Sequence, residues 1–363
     1  MNAPNLDFDS LKLTTYFGER QRVENQFLAD RLLGLYAQRE IATSVMLRGI
    51  GGFGIRHHLR SDQTLSLSED PPVAVVAVDA KAKIDVLLPH VLDLKRRGLL
   101  TLERSRRVVD TAGIRLPEEL NEAAKLTIYV GRQQRSSGTP AFRAVCDLLY
   151  RRGLDGASVF LGVDGTVGGR RQRARFFDRN TDVPMMIIAV GDGPKISRVV
   201  PELSALVDDA VMTLERVRVC KRDGQLFERP HALPGVDEHG LSLWQKLMVV
   251  TSESALYDGE PIHRALLRKL RESDHARGAT VLRGMWGFHG DHRPHGDKLF
   301  QLARRVPTMT VIVDTPENIA RSFDVADEVT REQGLVTSEM VPAALTRDGD
   351  TDHGGTRLAR HDY

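Results

Sequence analysis

A glycine-rich segment occurs three times in this chain of 363 residues. The copies are residues 47–54 (LRGIGGFG), 160–168 (FLGVDGTVG) and 282–290 (LRGMWGFHG), and each contains two glycines that are three residues apart. Glycine loses more backbone entropy on folding than any other residue, and it is favoured where φ is positive or where another backbone approaches closely. Each copy therefore predicts the end of a strand that opens into a loop.

Other landmarks are repeated around these glycines in the same order. A strand pattern begins at Lys12, Lys125 and Lys246, and an apolar segment begins at Pro72, Pro184 and Pro307. A three-residue motif that starts with threonine and ends with glutamate follows at 101–103, 213–215 and 337–339. Because self-similarity in a fixed order indicates a repeat architecture, the sequence predicts three domains of about 100 residues each.

We assign residues 1–110 to repeat 1, residues 111–235 to repeat 2 with its flanking linkers, and residues 236–345 to repeat 3. The remaining segment, 346–363, is rich in Gly, Asp, Arg and His. This polar composition predicts a disordered tail.

Hydrophobic periodicity gives each repeat the element order β-α-β-β-α-β. In repeat 1, residues 11–17 alternate as in a strand, and apolar residues from Val23 through Phe27 to Tyr36 have helical spacing. The segment between Gly54 and Pro71 is long and polar, which predicts a projecting, mobile loop. This element order is the ferredoxin-like split βαβ unit, so the predicted fold class is α+β.

The third strands of the repeats are apolar on both faces, as at 73–78 and 185–190. A ferredoxin-like sheet has helices on one face only, and each large apolar side chain stabilises the fold by about 1.5–3 kcal/mol when it is buried. Three exposed sheets would therefore forfeit more than a domain's net stability of about 5–15 kcal/mol. The uncovered faces are expected to pack on one another around a central axis, as an intramolecular pseudo-trimer that needs no homotrimer.

Composition narrows the classes of function. Lys and Arg number 51 and Asp and Glu 49, a net charge of only +2, which disfavours nucleic acid as the main partner. No apolar run reaches the roughly 18 residues of a membrane helix, and the first residues do not resemble a signal peptide, so we expect a cytoplasmic protein. Cys146 and Cys220 provide neither a disulfide framework nor a metal-binding spacing, and are expected to be reduced thiols.

With these repeats, central glycines and following loops, the chain resembles the PII-like family catalogued as domain of unknown function 190, over residues 11–109, 125–219 and 246–341. Signalling proteins of the PII class are similar more distantly, through Gly52-Phe53-Gly54 at the base of a loop and through the apolar third strand. The resemblance implies a trimeric ferredoxin-like assembly, small ligands in clefts between neighbouring domains, and a loop that reports ligand binding to a partner.

The chain departs from the PII pattern at two places. The glycine- and lysine-containing loop with which PII proteins hold nucleotide phosphates is not matched at 96–101 (RRGLLT). Repeat 2 has Leu161 where the other repeats have Arg48 and Arg283, and it has Thr166 where they have phenylalanine. The three clefts are therefore not chemically equal.

Glycine N–H groups beside an arginine can hold an anion, because glycine permits close approach and the guanidinium offers a planar set of donors. The candidate ligand-binding residues are Arg48, Gly49, Gly51, Gly52, Phe53, Gly54, Arg104, Arg106, Gly162, Gly165, Arg283, Gly284, Gly287 and Phe288. The alternative is that the glycines only shape a bend or a β-bulge and that the arginines are solvated.

A second candidate site lies just after the third glycine segment. His289, His292 and His295 have the spacing of a loop metal site. The alternative is a solvated polar loop, since metal ligands need a fixed geometry and Gly290 and Pro294 favour mobility. The sequence leaves the cofactor unknown.

No nucleophile with a base, pair of carboxylates or open metal site recurs at matched positions of the repeats, so we expect no enzyme. The leading hypothesis is a non-catalytic PII-like regulator that binds a small anionic effector between repeats, with adenine nucleotides among the candidates. It would act on a partner through its loops, and the family resemblance suggests a membrane transporter or channel. The alternatives are a divalent-metal-binding tolerance protein of the same trimeric fold and a structural scaffold.

Overall fold

The computed structural model describes residues 6–61, 70–94, 97–108, 122–174, 182–208, 210–289, 293–296 and 306–361. Over these residues the chain is mixed α+β and rich in strands, and each repeat contributes four main strands and two helices. No helix within these ranges combines the length and the apolar character needed to cross a bilayer.

The main elements follow the predicted order in all three repeats. Repeat 1 has strands Leu6–Gly18, Thr43–Phe53, Pro72–Ala80 and Arg97–Val108, with helices α1 (Leu28–Gln38) and α2 (Lys81–Leu94). Repeat 2 has strands Ala124–Gly131, Gly156–Leu161, Pro184–Gly191 and Val211–Arg216, with helices α3 (Ala141–Arg151) and α4 (Gly193–Leu206). Repeat 3 has strands Trp244–Ser252, Ala279–Arg283, Pro307–Asp314 and Leu335–Val341, with helices α5 (Ile262–Glu272) and α6 (Pro316–Val329).

Helix α1 begins later than the hydrophobic spacing predicts. Residues Arg22–Val23 and Gln26–Phe27 form a short hairpin instead, and its turn residues Glu24 and Asn25 have φ of 50° and 66°. Such left-handed conformations are incompatible with a continuing α-helix. Val23 and Phe27 thus share the helical spacing by coincidence, and Phe27 is exposed.

Within each repeat, strand 1 pairs with strands 3 and 4, and strand 3 pairs with strand 2, all antiparallel. The strand order in each sheet is therefore 4-1-3-2. The two helices cover one face, and each repeat has its own core there, as Leu13, Leu32 and Leu87 show in repeat 1.

The opposite faces of the three sheets meet in a fourth hydrophobic cluster. Its members from the third strands, Val76, Met186 and Val311, are all nearly inaccessible to solvent, and Tyr129 and Trp244 lie among them. The apolar faces that helices leave uncovered are thus buried against one another, as the sequence requires.

Each glycine segment carries the chain from its own sheet to a neighbouring one. Strand Thr43–Phe53 pairs with strand 3 of its repeat through Arg48, and from Gly49 it pairs with residues 279–282 of repeat 3. Likewise Asp164–Val167 pairs with 43–46 of repeat 1, and Trp286–His289 pairs with 156–159 of repeat 2. The expectation of a strand that ends at the glycines is wrong for repeat 1, because the strand continues and changes its partner.

Close backbone contact across these junctions explains the second glycine of each pair. A Cβ atom on Gly52, Gly165 or Gly287 would lie 2.5, 2.1 or 2.4 Å from a carbonyl oxygen of the neighbouring repeat. Real Cβ atoms do not approach so closely, so any side chain would push the two strands apart. Glycine is needed here for the contact between repeats.

Residues 346–361 are ordered, so the expectation of a disordered tail over 346–363 is wrong for the part that the structure describes. Strand Ala343–Asp348 pairs with strand 4 of repeat 1, and Thr351–Gly354 folds back on it. Repeats 1 and 2 make corresponding contacts, since residues 106–107 pair with 213–214 of repeat 2 and 218–222 pair with 335–338 of repeat 3. An open strand edge offers unpaired N–H and C=O groups, and these order a segment whose composition is polar.

Six charged side chains meet at the centre of the molecule in what we call the Lys–Glu ring. Its members are Lys12, Lys125, Lys246, Glu103, Glu215 and Glu339, all of them buried. Lys12 Nζ lies 3.0 Å from Glu103 and 2.9 Å from Glu215, and Lys125 Nζ lies 3.2 Å from Glu215 and 2.6 Å from Glu339. Lys246 closes the ring with contacts to Glu339 at 2.9 Å and to Glu103.

Every lysine in the ring therefore contacts the glutamate of its own repeat and that of another repeat. Burial alone would raise the pKa of Glu103, but Lys12 and Lys246 hold that pKa well below its usual value. The same balance of burial against Lys12 and Lys125 lowers the pKa of Glu215. The ring is electrically neutral and links all three repeats at one point.

Candidate functional site

A cavity of about 190 Å³ lies between repeats 1 and 3, and we call it the 1/3 cleft. Its apolar floor includes Tyr16, Phe53, Leu99 and Val311. Five arginines surround it: Arg56, Arg60, Arg97, Arg277 and Arg347. Apolar lining with a few convergent polar groups is typical of small-molecule sites.

Four separate segments place these residues around one space. Arg56 and Arg60 come from the loop that follows the first glycine segment, and Arg97 begins strand 4 of repeat 1. Arg277 precedes strand 2 of repeat 3, and Arg347 belongs to the C-terminal strand. The cleft therefore exists only because repeat 3 and the C-terminal strand pack on repeat 1.

Gly98 fixes the backbone at the edge of the cleft. Its φ is +107°, and a Cβ there would lie 2.1 Å from the carbonyl oxygen of Tyr16. Glycine is the residue that adopts this conformation without strain. Burial raises the pKa of Tyr16 to about 12, so this floor residue is a neutral phenol at physiological pH.

Among the lining residues that the structure describes, Asp348 is the only one with an acidic side chain. Arg56 donates two hydrogen bonds to it, from Nε to Oδ2 at 2.9 Å and from Nη2 to Oδ1 at 3.1 Å. Arg97 Nε lies 3.3 Å from Oδ1. The hydrogen bond from Arg56 lowers the pKa of Asp348, so the carboxylate is ionised at neutral pH.

The other arginines of the 1/3 cleft have partners outside it. Arg60 pairs with Asp70 at 3.1 Å, and Arg277 Nε lies 3.7 Å from Asp314. Arg347 pairs with Asp352 at 2.8 Å. Five arginines against one lining carboxylate still make the cleft a basic site.

The corresponding cleft between repeats 3 and 2 is nearly closed, with a volume of about 20 Å³. Asp155 of repeat 2 occupies the position that corresponds to Arg277 of repeat 3. Asp155 lies two residues before Ala157, which pairs with Phe288, and Arg277 lies two residues before Ala279, which pairs with Phe53. Arg222 stands at the position of Thr346, and it donates a hydrogen bond to Asp155. This ion pair connects two segments whose counterparts, at Thr346 and Arg277, line the open 1/3 cleft. The two clefts therefore differ in both charge and volume.

Comparison with known proteins identifies the repeats. The sequence profile of the DUF190 family, described as "Uncharacterized ACR", matches residues 10–107, 123–219 and 244–343. The chain belongs to this family.

A UPF0166 protein from Aquifex aeolicus (strain VF5) is 33% identical to this DUF190 chain over 95 residues, which are 26% of this chain and 88% of that protein. The relative thus corresponds to a single repeat. Among solved structures, an anthrone oxidase-like protein aligns at a TM-score of 0.18 with 12% identity, over 65% of this chain and 97% of that one. A mutant of the ferredoxin protease FusC in complex with Arabidopsis ferredoxin aligns at 0.18 with 7% identity, over 88% and 62%. These two likenesses bear on neither the fold nor the function.

The structure places some of the predicted site residues of this DUF190 chain at the 1/3 cleft and others away from it. Gly52, Phe53 and Gly54 line the cleft. Arg48 is exposed and pairs with Glu19 at 2.5 Å. Away from the lining, Gly49 lies against Pro72 and the carbonyl of Val281, and Gly51 lies beside Leu267.

The candidates on the last strand of repeat 1 serve contacts between segments. Arg104 donates to the carbonyl of Ala359 at 3.0 Å, and Arg106 lies in the strand segment that pairs with Leu214 of repeat 2.

The candidates from repeats 2 and 3 lie at the other junctions. Gly162 and Gly165 approach carbonyl oxygens, as do Gly284 and Gly287. Arg283 pairs with Glu253 at 2.6 Å. Phe288 is buried and lines the closed cleft between repeats 3 and 2.

The histidine candidates do not converge in the described part of the chain. His289 lines the closed cleft, with Nδ1 3.5 Å from Asp223, and His295 contacts the carbonyl of Arg293 at 2.9 Å. His292 lies outside the described residues. Among the residues that are described, no group of three or more side chains is arranged to hold a metal ion.

Arg56, Arg97, Arg277 and Asp348 are residues of the cleft that sequence reasoning missed. The corresponding positions of the other repeats hold different residue types; Asp155, for example, is the counterpart of Arg277. Comparing the repeats therefore gives no signal for these residues. The signal that the sequence offered was limited to two arginines near strand starts, since Arg97 begins strand 4 of repeat 1 and Arg277 lies two residues before strand 2 of repeat 3.

Proposed function

We propose that this chain is a non-catalytic regulatory protein of the PII-like type, which binds one small anionic ligand in the 1/3 cleft. The observation that carries the proposal is the convergence of five arginines from four segments on a cavity with an apolar floor. An arginine offers planar, fixed donors that suit phosphate and carboxylate groups. The closed cleft between repeats 3 and 2 leads us to expect fewer than three sites per chain.

We further propose that the repeats are ferredoxin-like and together replace the three subunits of a PII-like trimer. The strand order 4-1-3-2, the shared central cluster and the Lys–Glu ring support this assignment. So does the length of the Aquifex relative, which corresponds to one repeat and would have to assemble from separate chains. In this reading no homotrimer is needed.

The dimensions of the cleft bear on the class of ligand. Its volume of about 190 Å³ is below the roughly 300–1,000 Å³ of pockets that enclose drug-sized molecules. A small anion fits inside, or one part of a nucleotide does, with the rest of the molecule at the mouth. Tyr16 and Leu99 provide apolar surface, and Arg97 and Arg277 provide positive charge.

Signal output is assigned to the loop after Gly54. This loop begins with residues that line the cleft, Arg56 and Arg60 among them, and its segment 62–69 lies outside the described residues. A ligand that contacts these arginines would alter the position of the loop. We propose that the loop acts on a partner in the cytoplasm, and the family resemblance makes a membrane transporter or channel the first candidate.

Isothermal titration calorimetry with ATP, cyclic AMP and inorganic tripolyphosphate tests the ligand proposal. Arg97→Ala and Arg277→Ala should each weaken binding about tenfold or more, as loss of a charge-assisted contact does. Arg152→Ala is the matched control, because Arg152 is an exposed arginine that pairs with Glu202 on repeat 2.

Other outcomes of the titration would contradict the proposal in different ways. Loss of binding in Arg48→Ala, with Arg277→Ala unaffected, would move the site to the exposed glycine segment. Heat with zinc or copper alone would support the metal-binding alternative. The absence of heat with every probe would favour a structural scaffold.

A further inference from the structure

The carboxylate of Asp348 lines the 1/3 cleft and contacts two of its five arginines, Arg56 and Arg97. It accepts two hydrogen bonds from Arg56, at 2.9 Å to Oδ2 and at 3.1 Å to Oδ1, and Arg97 Nε lies 3.3 Å from the same Oδ1. This is the geometry with which guanidinium groups bind carboxylate and phosphate alike. The position of Asp348 is therefore a position for an anion.

Asp348 reaches the cleft from a different part of the chain than its partners do. It is the last residue of strand Ala343–Asp348, which follows repeat 3, whereas Arg56 belongs to the loop of repeat 1. The ion pair between them ties that loop to the C-terminal strand pair, 343–354. Within the part of the chain that the structure describes, Arg56 makes no side-chain hydrogen bond or ion pair other than those with Asp348.

The closed cleft lacks this arrangement. Thr346 and Arg222 occupy corresponding positions, because each pairs with the corresponding leucine of a fourth strand. Two residues further along, the residue that corresponds to Asp348 is Gly224. The closed cleft has its own arginine–carboxylate pair, Arg222 with Asp155, but it has no carboxylate at the position of Asp348. A carboxylate at this position therefore accompanies the open, arginine-lined cleft, which points to a role in ligand binding.

The pair is also accessible. The side chains of Arg56 and Arg97 are 58% and 60% exposed, and exposed ion pairs are weak because water and salt screen them. A phosphate group carries more charge and more acceptor oxygens than a carboxylate, so it can replace Asp348 between the two arginines.

We propose that Asp348 is a built-in competitor for the ligand, which is a phosphate-bearing anion whose phosphate takes the place of this carboxylate between Arg56 and Arg97. Binding then releases the loop of repeat 1 from the C-terminal strand pair. This inference rests on the proposed function, since it requires that the 1/3 cleft binds an anion.

The first test compares Asp348→Asn with the wild-type protein in calorimetric titrations with ATP and inorganic tripolyphosphate. Removing the competing charge should tighten binding about fivefold, which is the scale of an exposed ion pair. Asp348→Glu keeps the charge and should bind no more tightly than the wild type. Asp324→Asn is the matched control, because Asp324 is an exposed aspartate that pairs with Arg229, and neither residue lines the cleft.

The second test is amide hydrogen exchange, which reports on the released contact rather than on affinity. ATP should increase exchange in residues 55–58 and 351–354 of the wild type. In Asp348→Asn these amides should exchange faster before ATP is added. Circular dichroism and thermal unfolding establish that each variant is folded, and Asp348→Ser provides a second neutral variant.

The outcomes separate this inference from the proposed function. If the wild type binds ATP or tripolyphosphate, but both neutral variants bind equally or more weakly, the competitor role is wrong and the ligand site stands. Unchanged hydrogen exchange on ATP binding would likewise overturn the release of the loop. If neither the wild type nor the variants bind either probe, the proposed function fails, and this inference fails with it.

Discussion

Replacing one lysine of the Lys–Glu ring should destabilise the protein far more than removing an exposed lysine does. Lys125 is the sharpest choice, since its Nζ lies 3.2 Å from Glu215 and 2.6 Å from Glu339 and its side chain is only 2% exposed. Methionine in its place keeps the apolar stem and removes the charge. The substitution leaves three buried glutamates with two lysines.

The expected cost follows from these contacts. At an effective dielectric constant of about 20, each contact near 3 Å contributes roughly 5–6 kcal/mol of attraction. Desolvation of the buried ions offsets much of it, and breaking a buried pair by removing one partner costs about 3–5 kcal/mol in measured cases. We expect Lys125→Met to lower the free energy of unfolding by about 4 kcal/mol.

Urea unfolding monitored by circular dichroism and by tryptophan fluorescence measures this cost. Lys81→Met is the matched control, because Lys81 is an exposed helical residue that pairs with Asp85, and it should lose less than about 0.5 kcal/mol. The double variant Lys125→Met, Glu339→Met restores neutrality. It should therefore be more stable than the sum of the two single changes predicts.

Acid adds an independent check with a definite sign. In the wild type the folded-state pKa values of Glu103 and Glu215 are lowered, so their stabilisation is present above about pH 4.5 and is lost as the pH falls. In Lys125→Met, Glu215 keeps only its contact with Lys12 and should take up a proton more readily, so the loss of stability relative to the wild type should shrink between pH 7 and pH 5. A Lys125→Met protein within 1 kcal/mol of Lys81→Met would refute our account of the ring.

Two further predictions concern the glycine junctions and a buried histidine. Gly52→Ala should cost at least about 2 kcal/mol in urea unfolding, because its Cβ would meet the carbonyl of the neighbouring repeat at 2.5 Å. Gly54→Ala has open space around its Cβ and should stay within about 0.5 kcal/mol of the wild type, so equal losses would contradict the junction argument. Burial lowers the pKa of His263 to about 4, so its stabilising neutral form is fully retained above about pH 6.5 and lost as the pH falls towards 4. Between pH 7 and pH 4.5 the wild type should lose about 2 kcal/mol more than His263→Leu, and parallel losses would show that His263 does not titrate as described.

The sequence alone was sufficient to predict the three repeats and most of the helices and strands within them. Helical spacing identified α2 and α4 because their apolar residues face a core on one side only. The apolar third strands, with Val76 and Met186, required a second buried face. These inferences succeeded because they rest on burial, which leaves a periodic pattern in one segment.

Contacts between repeats leave no such pattern. Lys12 and Glu103 are visible as repeated landmarks, but a polar residue in a strand usually faces solvent, and only the meeting of three sheets reveals the ring. The continuation of strand Thr43–Phe53 through its glycines depends on a partner in repeat 3 that no local rule identifies. The cleft arginines and the order of the tail depend on long-range pairing for the same reason.

The pairing of Ala343–Asp348 with strand 4 of repeat 1 has a consequence for biosynthesis. The ribosome releases the first repeat long before the segment that completes its sheet has been translated. Contacts so distant along the chain form slowly, since a large loop must close first. The strand edge of the first repeat therefore stays open during translation, and the 1/3 cleft is completed only after residues 343–348 have been synthesised.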